Sequence, residues 1–318
     1  MRTVEKTKTV VMGYHTMGCL GFEALLAHGF EVAAVVTHRD DPREEVWWES
    51  LAAKAEARGI PVHFPGDAKS PEVKDLVASY APDFLFSFYY RFMIPPDVLA
   101  LAGRGALNLH GSLLPRYRGR APVNWVLVEG QTETGVSLHY MVEKPDAGAL
   151  VDQERVVIDF ADTAFTLYGK LEDAARRLLD RALPALAAGS AQASPLDLSQ
   201  GSYRGGRKPA DGRIDWSWTP KRIYDLVRAV THPYPGAFTT LRGRRLLVWW
   251  ALPVPGFGGA PGTVTAVNAG GITVAAGTGD GDDGAVRLVT LQLEGQPELP
   301  ACSLALAAQI APGERLGS

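Results

Sequence analysis

The sequence predicts an α/β protein: a Rossmann-like, mostly parallel sheet followed by a second, smaller OB-like β-barrel domain. Three observations predict it. Short apolar runs alternate with helical stretches through residues 9–110, the pattern of a parallel sheet with right-handed crossovers. Residues 84–90 form an unbroken apolar and aromatic run, as expected of a central strand covered on both faces. Beyond a polar stretch rich in Gly, Ser and Pro, short strands separated by turn residues take over, the mark of a small barrel.

In chain order, 9–14 reads as a strand, 20–28 as a helix and 32–38 as a second buried strand. Helical periodicity over 45–58 stops at Gly59. A short strand over 61–64 precedes a helix over 72–80, opened by Ser70 as cap and Pro71 as first helical position. After the central strand come a helix over 95–102 and a strand over 106–110. From Ala121 the pattern shifts to a helix over 122–128 and strands over 135–142 and 150–158. A long amphipathic helix over 163–188 closes a first domain at 1–189. Residues 190–212 read as a linker, and 213–318 as the β domain. That domain holds a helix over 219–230 and strands over 238–241, 245–251, 262–267, 272–275 and 286–292. The acidic, glycine-rich turn at 277–284 lacks the spacing of a calcium loop.

Composition narrows the function. With 46% hydrophobic and 21% charged residues, the chain is expected to pack a core. A formal charge of −3 argues against broad capture of nucleic acid, although Arg116, Arg118 and Arg120 cluster, as do Arg242, Arg244 and Arg245. Cys19 and Cys302 form neither a disulfide framework nor a metal set, and no metal is expected. The N-terminal residues lack the apolar core of a signal peptide, and no run approaches ~18 apolar residues. A cytoplasmic protein without membrane insertion is the expectation.

The chemistry concentrates in 106–122, ALNLHGSLLPRYRGRAP. Alternate strand residues share a face, so Asn108 and His110 point together while Leu107 and Leu109 point away. They sit at the expected C-terminal end of a parallel strand, where ligands bind. Alone, Asn-x-His marks no more than a polar strand end. Here it runs through Gly111-Ser112-Leu113-Leu114-Pro115 into the arginine-rich turn Arg116–Arg120, which can hold a polar or anionic ligand beside a helix N-terminus.

These residues resemble the folate-dependent formyltransferases. That family shares an Asn-x-His strand, then S-L-L-P-x-x-R-G, then an Asp in a D-x-G loop; the chain has Asn108, His110, Ser112–Pro115, Arg118-Gly119 and Asp146-Ala147-Gly148. GYHTMGCLGFEALLAHG, FSFYYR and RAVTHPYPGAF look in particular like the formyltransferase half of the bifunctional polymyxin-resistance enzymes. The resemblance runs along nearly the whole chain. It implies a Rossmann-like catalytic domain with an OB-like partner, Asn108, His110 and Asp146 as catalytic set, and 10-formyltetrahydrofolate as co-substrate. It implies folate contacts at Phe92, Met93, Ile94, Arg120, Val142, Glu143, Lys144, Pro145 and Asp146. The implied acceptor is a nucleotide-linked amino sugar, UDP-4-amino-4-deoxy-L-arabinose on the route to modified lipid A. The NAD-dependent decarboxylating half of those enzymes is absent from these residues, so the oxidative step is expected of a separate protein. Homo-oligomerisation is left open.

The residue types suit that reaction. An amine attacking a formyl carbon needs a donor for the developing oxyanion, a role for the Asn108 amide. It also needs a group that moves protons near neutral pH, a role for His110, and a carboxylate that orients that imidazole and favours its cation, a role for Asp146. His15, His38, His63, His139 and His232 read as structural or surface residues, and the Phe88-Tyr89-Tyr90 cluster as core.

Three other functions are weighed. A dinucleotide dehydrogenase needs G-x-G-x-x-G, and Gly13, Gly18 and Gly21 lack that spacing. A methionyl-tRNA formyltransferase needs a basic surface, and this chain is slightly acidic. A folate or nucleotide-binding module without catalysis is disfavoured by the complete catalytic set.

Overall fold

Residues 6–42, 44–256, 259–278 and 284–317 are described in the computed structural model of the chain. Of the acidic turn expected over 277–284, residues 279–283 lie outside them. Two compact units emerge: one of Met1–Pro122, Glu133–Val157 and Tyr168–Gly205, the other of Val123–Thr132, Ile158–Leu167 and the residues from Gly206 onward.

In chain order the elements up to Arg204 are β1 (Lys8–Gly13), α1 (His15–Ala27), β2 (Glu31–Val36), α2 (Leu51–Glu56), β3 (Val62–His63), α3 (Pro71–Tyr80), β4 (Phe84–Phe88), α4 (Pro96–Leu99), β5 (Gly105–His110), β6 (Arg118–Gly119), α5 (Pro122–Val128), β7 (Glu133–Tyr140), β8 (Leu150–Val157), α6 (Ala164–Ala188) and β9 (Tyr203–Arg204). The first unit is built on a seven-stranded sheet of order β3-β2-β1-β4-β5-β7-β8. Strands β1 to β5 pair in parallel; β7 and β8 turn antiparallel. One face buries Val10, Met12, Ala34, Val36 and Leu85 against Val73, Val77 and Val98. On the other face Phe84, Phe86 and Phe88 are fully buried, each burial worth about 1.5–3 kcal/mol. Gly21 of α1 lies against the Phe88 ring, where any Cβ would collide. Gly13 pairs with Phe88, and Phe88 with Leu109, so the C-terminal ends of β1, β4 and β5 are level.

Several elements differ from the sequence expectation. The helix expected over 45–58 is only Leu51–Glu56. Trp47 and Trp48 mimic a helical apolar stripe, but both pack on the His15 ring. The helix then starts where Ser50 caps it, its Oγ accepting from Ala53 N at 3.2 Å. α1 begins at His15 rather than residue 20. The strand expected over 84–90 stops at Phe88, because Tyr89 takes a left-handed φ of 57°. The helix expected over 95–102 is Pro96–Leu99, after which Leu101 and Ala102 bond to Val98 and Leu99 in tighter i→i+3 turns. The 190–212 stretch carries β9, which pairs in parallel with β6.

The second unit continues with α7 (Pro220–Val230), β10 (Ala237–Leu241), β11 (Arg244–Pro255), β12 (Val264–Asn268), β13 (Gly271–Ala275), β14 (Gly284–Leu293), β15 (Glu298–Pro300) and α8 (Ala301–Ala308). Its strands form one antiparallel sheet of order β10-β11-β14-β13-β12, with β15 on β14. Thr219 caps α7 through its side chain. No helix among the described residues is long and apolar enough to cross a membrane.

Candidate active site

Asn108 and His110 end β5 on one face, as their spacing predicts. Asp146 arrives from the loop between β7 and β8 in a left-handed conformation, φ 49°, a region that Asp tolerates better than most residues. Gly148 lets this loop turn back, since a Cβ there would collide with the Tyr140 carbonyl. The carboxylate thus reaches the strand end. Its Oδ1 lies 3.6 Å from His110 Nδ1, 3.5 Å from His139 Nε2 and 3.3 Å from Asn108 Nδ2. Its Oδ2 accepts from Gly119 N at 2.8 Å.

The other side of His110 is equally constrained. Its Nε2 lies 2.8 Å from the Tyr117 carbonyl oxygen. A carbonyl can only accept, so Nε2 carries a hydrogen and Nδ1, facing the carboxylate, is the nitrogen that can take or give a proton. The turn from Gly111 to Gly119 supplies both the carbonyl and the Gly119 N–H. It is tied down by Ser112 Oγ, which donates to Arg116 O at 2.7 Å, and by Ser137 Oγ, which donates to Ser112 O at 2.6 Å and accepts from Leu114 N at 3.1 Å.

His139 is a site residue that the sequence reading placed elsewhere. It sits opposite Asn108 across the β5–β7 pair and is 1% exposed. Its Nδ1 lies 2.8 Å from Tyr140 O and therefore holds the hydrogen, leaving Nε2 to accept from Asn108 Nδ2 at 3.2 Å. Its alternation with Ser137 on β7 was a visible signal, but only the antiparallel register brings it to Asn108. Both Asn108 amide hydrogens are thereby directed at Asp146 and His139. Donation to an oxyanion, as expected from the sequence, requires one of these long bonds to be exchanged for the formyl oxygen.

Burial opposes ionisation of Asp146, but the His110 charge, with the Gly119 N–H beside it, outweighs it and holds the carboxyl well below its usual range. The carboxylate is therefore ionised at neutral pH.

The expected folate residues fall on the loops after β4 and β7, with Arg120 following β6. Phe92, Met93 and Val142 are exposed apolar side chains, while Glu143, Lys144 and Arg120 are exposed and Pro145 is half-buried. Ile94 packs its side chain into the sheet core, and Met141 packs against the same cluster. The two loops are thus anchored in one core. Among the described residues no group of His, Cys, Asp and Glu is placed to hold a metal ion.

Two family models match the chain. One, described as formyl transferase, covers residues 22–183, more than half of the chain; the other, formyl transferase C-terminal domain, covers 207–308. Among solved structures, HypX from Aquifex aeolicus in complex with tetrahydrofolic acid is 19% identical, with a TM-score of 0.62 over 96% of this chain and 48% of that one. The chain therefore spans about half the length of HypX. WlaRD, a sugar 3N-formyl transferase solved with dTDP and 5-N-formyl-THF, is 17% identical, with a TM-score of 0.67 over 92% of this chain and 100% of that one. The N-formyltransferase from Helicobacter canadensis, in complex with folinic acid and dTDP-3-aminofucose, is 18% identical, with a TM-score of 0.65 over 88% of this chain and 98% of that one. At these identities the structures show a shared fold.

Proposed function

The chain belongs to the formyl transferase family, and from that premise we propose that it transfers a formyl group from 10-formyltetrahydrofolate to the amine of a nucleotide-linked amino sugar, UDP-4-amino-4-deoxy-L-arabinose. The observation that carries the reaction is the meeting of Asn108, His110 and Asp146 at one strand end. The folate and dTDP-sugar complexes of the structural neighbours support the two substrate classes. The sequence resemblance noted above supports the arabinose acceptor and, with it, a role in lipid A modification.

In the proposed reaction the amine nitrogen attacks the formyl carbon, forming the C–N bond and placing negative charge on the former carbonyl oxygen. Asn108 turns an amide hydrogen to that oxygen, a contribution of about 3–4 kcal/mol in related acyl chemistry. His110 takes the excess proton from the attacking nitrogen at Nδ1, and Asp146 stabilises the imidazolium beside it. Collapse of the tetrahedral intermediate breaks the bond to the folate N10, which leaves with the proton returned by His110. The products are tetrahydrofolate and the N-formyl sugar. No protein nucleophile is needed, since the amine fills that role. The exposed Phe92, Met93 and Val142 would pack on the folate, with Arg120 and the 143–145 loop at its edges.

The test is mass spectrometry of the protein incubated with 10-formyltetrahydrofolate and a panel of nucleotide-linked amino sugars. One formyl mass gained by the UDP-arabinose compound is the expected result. Formylation of another sugar alone would refute the acceptor; formylation of none would refute the reaction.

A further inference from the structure

A second feature lies along the same sheet edge. Residues 37–50 join β2 to α2 without helix or strand among the described residues, a length at which unstructured loops are uncommon and usually functional. The loop emerges at the C-terminal ends of parallel strands, where ligands of such sheets bind. It encloses a cavity of about 220 Å³ whose walls include Tyr14, His38, Asp40, Trp48 and Phe64. Pockets for whole drug-sized ligands run from about 300 Å³ upward, so this one suits a single ring system rather than an entire substrate.

The walls are fixed in place. Trp48 stands edge-on to Tyr14 at 5.5 Å and stacks on His15 at 4.6 Å. His38 stacks on Tyr90 at 4.4 Å and meets Phe92 edge-on at 4.6 Å. Its Nε2 accepts from Arg91 N at 3.0 Å. Burial, helped by the Arg91 charge, pushes the His38 pKa down to about 4, so this wall is an uncharged ring at neutral pH. The polar groups are of specific kinds. Tyr14 Oη donates to Asp40 Oδ1 at 2.5 Å, which leaves Oδ2 to accept from a ligand. Ser50 Oγ, also on the lining, accepts from Ala53 N, which leaves its hydroxyl hydrogen to donate. Arg39 lines the cavity with its guanidinium over the Phe64 ring at 4.5 Å.

We propose that this cavity takes the base of the nucleotide-linked acceptor, and that the base is a pyrimidine carrying a ring N–H between two carbonyls, as uracil and thymine do. That edge presents acceptor, donor, acceptor; Asp40 offers the matching acceptor, and Ser50 and Arg39 offer donors. The aromatic walls supply a stacking surface. The distance also fits. β1 is two strands from β5, and β2 three, with adjacent strands about 4.8 Å apart, so the cavity lies about 10–14 Å from the His110 end of β5. In a nucleotide-linked sugar the base is separated from the sugar amine by the sugar ring, a diphosphate and a ribose. The folate, whose reactive nitrogen must meet Asp146, is accounted for by the Phe92–Ile94 and Val142–Asp146 loops on the near side of His38.

This assignment rests on the nucleotide-sugar reading above, and calorimetric titration of the whole chain separates the two. UDP, CDP and tetrahydrofolate are titrated into the wild type and into the Trp48→Ala, Trp48→Phe and Asp40→Ala variants, each checked for fold by circular dichroism. Wild type is expected to bind UDP at least ten times more tightly than CDP, whose ring nitrogen at that edge is an acceptor. Trp48→Ala should weaken UDP about 5- to 100-fold with tetrahydrofolate unchanged. Trp48→Phe should restore most of the loss, and Asp40→Ala should narrow the UDP–CDP gap. Equal UDP affinity in wild type and Trp48→Ala would overturn the cavity assignment while leaving the formyl transfer standing, as would loss of tetrahydrofolate binding in place of UDP. A wild type that binds tetrahydrofolate but no UDP would overturn both the cavity and its UDP-sugar acceptor.

Discussion

Asn108 and His139 face each other across the antiparallel β5–β7 pair, Nδ2 to Nε2 at 3.2 Å. This contact, and not the strand spacing alone, sets which way the Asn108 amide points. His139 accepts one hydrogen from the amide, whose other hydrogen is directed at Asp146 Oδ1 at 3.3 Å, so it orients Asn108 and, through it, the carboxylate of the proposed catalytic set.

Replacing His139 with Ala should therefore act through position. It leaves Asn108 free to rotate and removes a polar neighbour of a mostly buried carboxylate. We expect kcat to fall about 10- to 100-fold, as on removal of a ligand-orienting partner, with KM for folate changed less than threefold. His139→Asn, which keeps a hydrogen-bonding group at that position, should recover part of the loss. Steady-state kinetics of the two variants decide it; equal kcat in wild type and His139→Ala would remove His139 from the site.

Asp146→Asn tests the carboxylate. Without its charge the His110 cation loses its stabilising partner, and kcat should fall about 10²–10⁴-fold. The same charge bears on stability. The Asp146 carboxyl sits lower in the folded state than in the unfolded one, so its stabilising contribution is present above the unfolded value of about 3.9 and is lost as pH falls through the folded value. Urea unfolding should show wild type ahead of Asp146→Asn at pH 7, with the gap shrinking steadily below about pH 4. A gap that does not change between pH 7 and pH 3 would contradict the depressed carboxyl.

The sequence shows Asn108 and His110 because strand alternation is local: two residues apart on one strand must share a face. It shows Asp146 only by likeness, because a loop residue reaches a strand by a path that local rules do not describe. His139 stayed hidden because its partner is set by the β5–β7 register, a non-local choice. The helix is shorter than the periodicity over 45–58 implies for the opposite reason. Trp47 and Trp48 satisfy a helical apolar period, yet the ring of His15 and that of Tyr14 offer them a better packing surface than a helix face would. Where aromatic side chains serve a cavity wall, the period that normally reports a core reports something else.

Gly119→Ala should separate stability from chemistry. Gly119 takes φ 99°, and a Cβ would collide with Arg204 O and crowd the Tyr203 ring. Those contacts belong to the β6–β9 pair, so the pair must open or shift, and the Gly119 N–H that serves Asp146 moves with it. We expect about 2–4 kcal/mol of destabilisation and a fall in kcat. Gly59→Ala, with φ 68° but nothing within 4 Å, should cost only about 1 kcal/mol and leave kcat unchanged. Chemical denaturation of both variants gives the comparison; similar losses at the two positions would mean that backbone strain alone, not the β6–β9 contact, governs Gly119.

His15 predicts an acid sensitivity above the carboxylate range. The residue has a left-handed φ of 66° and is clasped by Trp47, Trp48 and Tyr168. Burial, then the Arg91 charge, pushes its pKa down to about 3. The unfolded chain binds a proton on this imidazole near pH 6.5, and the folded chain does not until about pH 3. The neutral ring's contribution is therefore complete above pH 6.5 and declines as pH falls from there, by up to about 1.4 kcal/mol per pH unit for a fully shifted group. His15→Asn keeps a residue that accepts the left-handed backbone and removes the titration. It should be less stable than wild type at pH 7, having lost the ring contacts, yet should lose less stability between pH 7 and pH 5. Urea midpoints at the two pH values measure this, and equal acid losses in both proteins would show that His15 is protonated in the fold.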